Sequence, residues 1–315
     1  MVKLIVVAGP TASGKTAVAI TLSKLVGGEI ISADSMQVYK LMDIGTAKPT
    51  QEEREGIAHH MIDVVMPDED FSVAKYQAQA RAAISDVLKR KKIPILCGGT
   101  GFYINALLYD VNFPRTDGTG KNREYYTDIA ANYGSNHLHS MLQETDPAAA
   151  SSIHPNNVKR VIRALCYHRE TGLLFSEYNS SQKNRQPVYD TLFCCLNIDR
   201  VVLYDRINKR VLNMFDAGLQ KEVASLLEAG YNPSLVSMQG IGYKETARYI
   251  LGEDTLTDAV EAVQQNTRNY AKRQDTWFRN QNPGAYRISV ENKQPEEVAM
   301  EIDEVRRQMH CSCKT

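Results

Sequence analysis

The sequence contains no apolar run long enough to cross a membrane, no excess of either charge and no cysteine spacing that would hold zinc, and each absence removes a class of function. The N-terminal apolar run over residues 4–8 is too short for a signal peptide or a span, which predicts a cytoplasmic protein with no membrane partner. Lys plus Arg and Asp plus Glu both total 37, so any basic surface for a nucleic acid must be local. The six cysteines, Cys97, Cys166, Cys194, Cys195, Cys311 and Cys313, include a vicinal pair and a C-x-C but no C-x2-C, and read as reduced thiols. His59 and His60 are neighbours, and neighbours on a strand face opposite ways, which favours structural roles over a shared metal. No internal repeat is present. With 315 residues and 43% apolar composition the chain can bury a full core and exceeds the usual single compact unit, so a large domain carrying an insertion is expected.

What the sequence does contain is a phosphate cradle. Gly9-Pro10-Thr11-Ala12-Ser13-Gly14-Lys15-Thr16 fits G-x4-G-K-[ST], between an apolar strand pattern and a helical one. The glycines let backbone N–H groups wrap an anion, and the following helix adds its positive end. Lys15 neutralises phosphate oxygens, and Thr16 offers a hydroxyl to Mg2+. Beyond it, Val18, Leu22, Leu25 and Val26 recur as one buried helix face.

Short β-branched runs at residues 4–8, 29–33, 61–65, 93–97 and 191–198 alternate with helical patterns, which predicts an α/β fold of the P-loop type: a parallel sheet covered by helices on both faces. Residues 71–92 read as an amphipathic helix ending in four cations that suit its C-terminal dipole. Over 111–186 strand signals vanish, and polar turns at 116–120 and 154–157 separate helices. The chain therefore divides into a core of residues 1–110 and 187–315 and a helical insertion of residues 111–186. A helix over 158–171 carries Lys159, Arg160 and Arg163 off its apolar side, where a solvated face and phosphate binding are equally good readings. After Ile198 the chain reads as helical for about eighty residues, with Tyr270, Trp277 and Phe278 interleaved with Arg268, Lys272, Arg273 and Arg279 near the end. RNA contact and core packing both produce that mixture.

Phosphate-loop enzymes usually hold Mg2+ with an aspartate at the end of a second apolar strand. Here the strand over 93–97 runs into Gly98-Gly99-Thr100-Gly101 with no carboxylate. Asp34 instead ends the strand over 29–33, at the edge of the sheet where ligands of open α/β folds bind. It can face the anion or close a turn with Ser35 and Gln37.

Several segments resemble the tRNA dimethylallyltransferases, nearly end to end. They are the phosphate loop, Ser32-Ala33-Asp34-Ser35-Met36-Gln37-Val38-Tyr39, Asp43-Ile44-Gly45-Thr46-Ala47-Lys48-Pro49, His59-His60-Met61-Ile62-Asp63, Gly98-Gly99-Thr100-Gly101-Phe102-Tyr103, His154-Pro155-Asn156, Arg163-Ala164-Leu165, Ile241-Gly242-Tyr243-Lys244-Glu245 and Thr267-Arg268-Asn269-Tyr270-Ala271-Lys272-Arg273-Gln274. The resemblance implies transfer of a dimethylallyl group from its diphosphate to N6 of adenosine 37, next to the tRNA anticodon, with release of diphosphate. The loop would then hold a leaving group, stabilised by Lys15 and by Mg2+ on Thr16. Asp34 would take the proton of the weakly nucleophilic N6, and Thr100 and Arg210 join it as catalytic candidates. Arg206 and Arg210 lie at i and i+4 on a helix, so they can share one ligand, a surface ion pair being the alternative for each.

An adenine inside the anticodon loop has to be extruded to react, which calls for contacts with the anticodon stem-loop from several segments. By resemblance these are Asp34, Ser35, Met36, Gln37, Thr100 and Arg123, then Lys159, Arg160, Val161, Ile162 and Arg163, then Gln239, Gly240, Ile241, Gly242, Tyr243 and Lys244. The chain departs from the family pattern at Met36, usually a longer basic or polar residue, and at Cys166, usually glutamate. It resembles the bacterial form, without the zinc-finger extension of some eukaryotic relatives, and a monomer is expected. Three other readings compete: a P-loop small-molecule kinase, a prenyltransferase acting on free adenylate, and a non-catalytic RNA-binding protein.

Overall fold

Apolar strands and helices alternate along the first third of the chain: β1 (Leu4–Ala8), α1 (Lys15–Val26), β2 (Gly28–Ser32), α2 (Gln51–Arg54), β3 (His59–His60), α3 (Val73–Lys89), β4 (Ile93–Gly98) and α4 (Gly101–Leu108). Four helices follow, α5 (Lys121–Thr145), α6 (Pro147–Ser152), α7 (Val158–Thr171) and α8 (Phe175–Gln182). The remainder holds β5 (Thr191–Asn197), α9 (Arg200–Asp216), α10 (Leu219–Glu228), α11 (Tyr243–Ile250), α12 (Leu256–Gln281), β6 (Tyr286–Ser289) and α13 (Pro295–Ser312). The structure, a computed structural model, describes residues 3–111, 113, 120–182 and 186–312. The turn expected over 116–119, Cys313 and the side chain of Cys311 lie outside them.

The backbone separates into two compact units, residues 1–108 with 187–315, and residues 109–186. In the first unit all six strands pair in parallel, in the order β3-β2-β4-β1-β5-β6. Every residue of β1 and β2 is buried, as expected of strands covered on both faces. The main core joins Ile5, Val7, Ile95 and Leu192 from the sheet to Val18, Ala19 and Leu22 of α1 and to Val298, Ala299 and Ile302 of α13.

Two sequence expectations need correction. The run 61–65 is not a strand: Met61 and Asp63 adopt positive φ (64° and 56°), which an extended chain cannot accommodate, so β3 stops at His60 and only Val65 bridges to Tyr39. Leu25 is 47% exposed, because the buried side of α1 is Val18, Ala19, Ile20, Leu22 and Ser23. Helix α13 adds Val298, Ala299 and Ile302 to the core.

The second unit has a core of its own. Leu138 and Leu142 of α5 meet Val161, Ile162 and Leu165 of α7 and Phe175 of α8. Asp146, fully buried, caps α6 through Ala149 N (2.9 Å) and also accepts from Ser176 N (2.8 Å). Burial alone would raise this carboxyl, but the donated hydrogen bonds outweigh it and hold Asp146 below its ordinary value.

Candidate active site

The strand order places the exits of β2, β4 and β1 side by side at the C-terminal edge of the sheet, where open α/β sheets bind ligands. Each exit supplies one part of the site. After β1, the loop 9–14 turns through Gly9 and Ala12 at positive φ and enters α1 at Gly14, whose φ is 84°. Gly14 has no side chain to cap the helix, so the first N–H groups of α1 remain available to an anion.

After β2 comes Asp34, and after β4 the turn 98–101. These two exits are joined by backbone hydrogen bonds from Ala33 N to Cys97 O (2.8 Å) and from Thr100 N to Ala33 O (3.0 Å). The approach is so close that a Cβ on Gly98 would sit 2.2 Å from Ala33 O, so no other residue fits there. Tyr76, fully buried on α3 and stacked on Tyr103 at 4.0 Å, donates its hydroxyl to Ser32 O (3.0 Å) and fixes the end of β2.

Asp34 closes the turn that its position allowed and also lines a cavity wall. Its Oδ1 closes a turn, accepting from Met36 N (2.8 Å) and Gln37 N (3.3 Å). Its Oδ2 has no hydrogen-bond partner among the described residues, and the carboxylate lines two cavities, so the turn aims the second oxygen outward. Thr100 Oγ1 accepts from Ser35 N (3.1 Å) and ties the turn 98–101 to the Asp34 turn. Gln37 is occupied internally, accepting from Ser32 Oγ (3.1 Å) and donating to the carbonyls of Thr46 and Ala47.

Three cavities share these walls. One, of about 610 Å³, opens on the loop and is lined by Gly14, Lys15, Thr16, Arg206 and Arg210. A small one, of about 80 Å³, lies between Lys15, Thr16, Asp34, Cys97 and Gly98. The third, of about 260 Å³, has Asp34 and Thr11 on one side and Met36, Ile207, Val211, Met214, Ile241 and Tyr270 around the rest. Arg210 lines all three. Arg206 and Arg210 do face one cavity, and among the described residues neither forms an ion pair, so the surface-pair alternative does not describe them.

The charges here are strained by burial. Burial, with Arg210 adding to it and Asp34 opposing it, lowers Lys15 from 10.5 to about 8. Lys15 Nζ folds back onto Pro10 O (2.6 Å). Burial also lowers Arg210, offset by Asp34, and its Nη1 reaches Thr11 Oγ1 at 3.4 Å. Burial raises the Cys97 thiol to about 11, so it is uncharged beside Lys15. A cavity with two desolvated cations and a row of free amides is built to receive a polyanion, whose charge would relieve the burial penalty of both.

Not every residue expected at a ligand surface can reach one through its side chain. Tyr243 is fully buried, and its hydroxyl donates to Glu222 Oε1 (2.6 Å). In the second unit Val161 and Ile162 belong to the core, while Lys159, Arg160 and Arg163 are exposed on α7 and Arg123 is exposed on α5. Gln239 and Lys244 are exposed, and Gly240, Ile241 and Gly242 line the third cavity.

Sequence reasoning assigned no role to Glu222. Its carboxylate accepts from the N–H groups of Asp43 (3.0 Å), Ile44 (2.8 Å) and Gly45 (3.1 Å) as well as from Tyr243, pinning the loop that Gln37 holds from the other side. Lys48, buried, reinforces the same loop by bridging Asp43, Asp63 (2.6 Å) and Tyr39 O (2.9 Å). No local pattern marks Glu222, since the three backbone N–H groups it holds are nearly 180 residues away in sequence.

Comparison with known proteins gives one consistent result. The family model described as IPP transferase matches residues 37–281. A tRNA dimethylallyltransferase of Acetivibrio thermocellus is 50% identical over 279 residues, covering 89% of each chain. The crystal structure of a full-length tRNA isopentenylpyrophosphate transferase from Bacillus halodurans superposes with a TM-score of 0.75 at 39% identity, over 100% of this chain and 99% of that one. A eukaryotic dimethylallyltransferase acting on tRNA superposes with a TM-score of 0.78 at 32% identity, over 92% of this chain and 74% of that one.

Proposed function

The chain belongs to the IPP transferase family, as an enzyme that transfers a dimethylallyl group to an adenosine of tRNA, and we propose how its own residues carry out that transfer. The observation that carries the proposal is a shared wall: Asp34 lines both the small cavity beside Lys15 and Thr16 and the apolar cavity beyond it, and Arg210 lines these two and the larger cavity at the phosphate loop. Dimethylallyl diphosphate binds with its diphosphate against the amides of residues 14–16, Lys15, Arg206 and Arg210. The extruded adenine enters the cavity walled by Met36, Val211, Met214 and Ile241.

As the allylic C–O bond breaks, negative charge grows on the departing diphosphate, and Lys15 and Arg210, already desolvated, stabilise it more than exposed cations would. The N6 lone pair forms the new C–N bond, and the N6 proton passes to Asp34 Oδ2, held in place by the turn on Oδ1. Thr100 fixes that turn through Ser35. The acceptor is N6 of adenosine 37, beside the anticodon.

Mg2+ fits this cradle as a companion of the substrate. Thr16 offers one hard hydroxyl oxygen at the cavity, and among the described residues no cluster of His, Cys, Asp or Glu could hold a metal, so the diphosphate itself would supply the other charged ligands. When bound there, the ion supplies further neutralisation of the diphosphate charge. The anticodon stem-loop contacts Ser35, Met36, Gln239 and Lys244 in the first unit and Arg123, Lys159, Arg160 and Arg163 in the second, all at least partly exposed. A monomer in the cytoplasm is sufficient for this reading. No described helix is long and apolar enough to cross a membrane, and Cys97, Cys166, Cys194 and Cys195 are free thiols.

The test is incubation of the purified protein with unmodified tRNA, dimethylallyl diphosphate and Mg2+, beside arms with ATP and with free AMP, followed by mass analysis of the nucleosides. A prenyl mass gain on adenosine only in the tRNA arm is expected. Prenylated AMP or consumption of ATP would overturn the assignment.

A further inference from the structure

We propose that Gln274 is a positioning residue for the transfer: its amide locks the phosphate loop to the turn 98–101 and thereby sets the distance between the diphosphate cradle and the acceptor side. The proposal rests on the reading of the site given above. Gln274 lies on α12, is only 5% exposed and lines none of the three cavities, so it does not touch the substrates. Its Oε1 accepts from Thr11 N at 2.8 Å, and its Nε2 donates to Gly99 O at 2.9 Å.

These two backbone groups belong to loops that leave different strands, β1 and β4. One of them accepts and the other donates, so only a group with both functions can bridge them, and the amide has a single workable orientation. The fit leaves no spare room: a Cβ on Gly99 would lie 2.1 Å from Gln274 Nε2. The bridge then continues outward on both sides. Thr11, held by its N–H, presents its hydroxyl to Arg210 at 3.4 Å. Thr100, the next residue after Gly99, holds Ser35 N at 3.1 Å and so the Asp34 turn. The relative placement of Arg210, on the leaving-group side, and Asp34, on the acceptor side, thus passes through one buried amide. Losing it exposes an unpaired N–H and C=O, and each loop is freed to shift, while misplacement by about 1 Å is enough to lower a rate about 10²-fold.

The experiment compares wild type, Gln274→Ala, Gln274→Glu, Gly99→Ala and the Gly99→Ala/Gln274→Ala double variant. Readouts are kcat and KM for prenyl transfer, Kd for tRNA, calorimetric binding of inorganic diphosphate and thermal melting. Gln274→Glu keeps the acceptor for Thr11 N but turns an oxygen toward Gly99 O, so it should not rescue the alanine variant. Expected for the Gln274 variants is a kcat loss of about 10²-fold and clearly weakened diphosphate binding, with tRNA Kd unchanged and a cooperative melt retained. Gly99→Ala should lose as much alone but little more when Gln274 is already alanine, because the atom it would strike is gone. Folded Gln274 variants with wild-type kcat, or losses that multiply in the double variant, would overturn the clamp. Wild type that fails to prenylate tRNA would overturn the activity instead, and diphosphate binding would still test the clamp by itself.

Discussion

Replacing Lys15 by methionine is expected to stabilise the free protein and at the same time to remove its grip on diphosphate. Burial is the main reason Lys15 falls from 10.5 to about 8, with Arg210 adding to the shift. At roughly 1.4 kcal/mol per pH unit, carrying that charge at neutral pH costs the folded protein about 3 kcal/mol relative to a solvated lysine. Methionine removes this cost and gives up the hydrogen bond from Nζ to Pro10 O, worth about 1 kcal/mol. The net gain is about 2 kcal/mol at pH 7, a rise of several degrees in melting temperature. The sign with pH follows from the same shift. Between about 8 and 10.5 the unfolded chain binds the proton more tightly than the folded one, so wild type gains stability as pH rises through that window and the variant lacks this gain. Affinity for dimethylallyl diphosphate runs the other way in wild type, falling by up to about tenfold per pH unit above 8 as Lys15 loses its charge, and staying low and level in the variant. Melting scans and ligand titrations from pH 7 to 10 measure both. A variant that melts below wild type at pH 7, or wild-type affinity that is level to pH 10, would refute the argument.

Asp34→Asn keeps the oxygen that closes the turn but removes the proton acceptor, so turnover should fall by about 10²- to 10⁴-fold while filter-binding affinity for tRNA stays near wild type. Glu222→Gln replaces one acceptor oxygen of a carboxylate holding four donors, and a loss of about 1–3 kcal/mol in denaturant unfolding is expected, together with faster hydrogen exchange at the amides of residues 43–45. Glu29, buried, accepts from Arg90, Lys92 and His60, and the Arg90 contact is the chief cause holding its carboxyl far below 4.5. Its contribution is complete above pH 4.5 and lost as pH falls further, so Glu29→Gln should flatten the stability-versus-pH curve on the acid side; a variant as acid-labile as wild type would contradict this.

The parts of the site that are contiguous in sequence were legible there. The phosphate loop declares itself because its glycines, lysine and threonine must follow one another, and Asp34 because a short apolar strand ends beside it. Helix α7 matches its pattern over Val158–Thr171, since its apolar period is uninterrupted. The run 61–65 misled because it is as apolar as a strand, while Met61 and Asp63 take positive φ and the N–H groups of residues 63–65 are bound by the carbonyls of Gln37 and Val38, more than twenty residues upstream. Glu222 was illegible for a related reason, and so was the role of Gln274, although that residue closes a segment that resembles the family. What defines them is the backbone groups they hold across 178 and 263 residues of chain, and a single glutamate or glutamine on an amphipathic helix carries no local mark of such a partner. Val161, Ile162 and Tyr243 show the reverse error, because a resemblance carried over residue by residue does not distinguish side chains that face a ligand from those that pack beneath it.

The measurement that tests the central claim most directly is a stoichiometric one: prenylated adenosine located by position in the tRNA product and counted against diphosphate released, in the presence of dimethylallyl diphosphate and Mg2+. The account predicts one diphosphate per prenyl group, with the group on N6 of the adenosine beside the anticodon. Diphosphate released without a tRNA product, or a prenyl group found on another nucleoside, would contradict it.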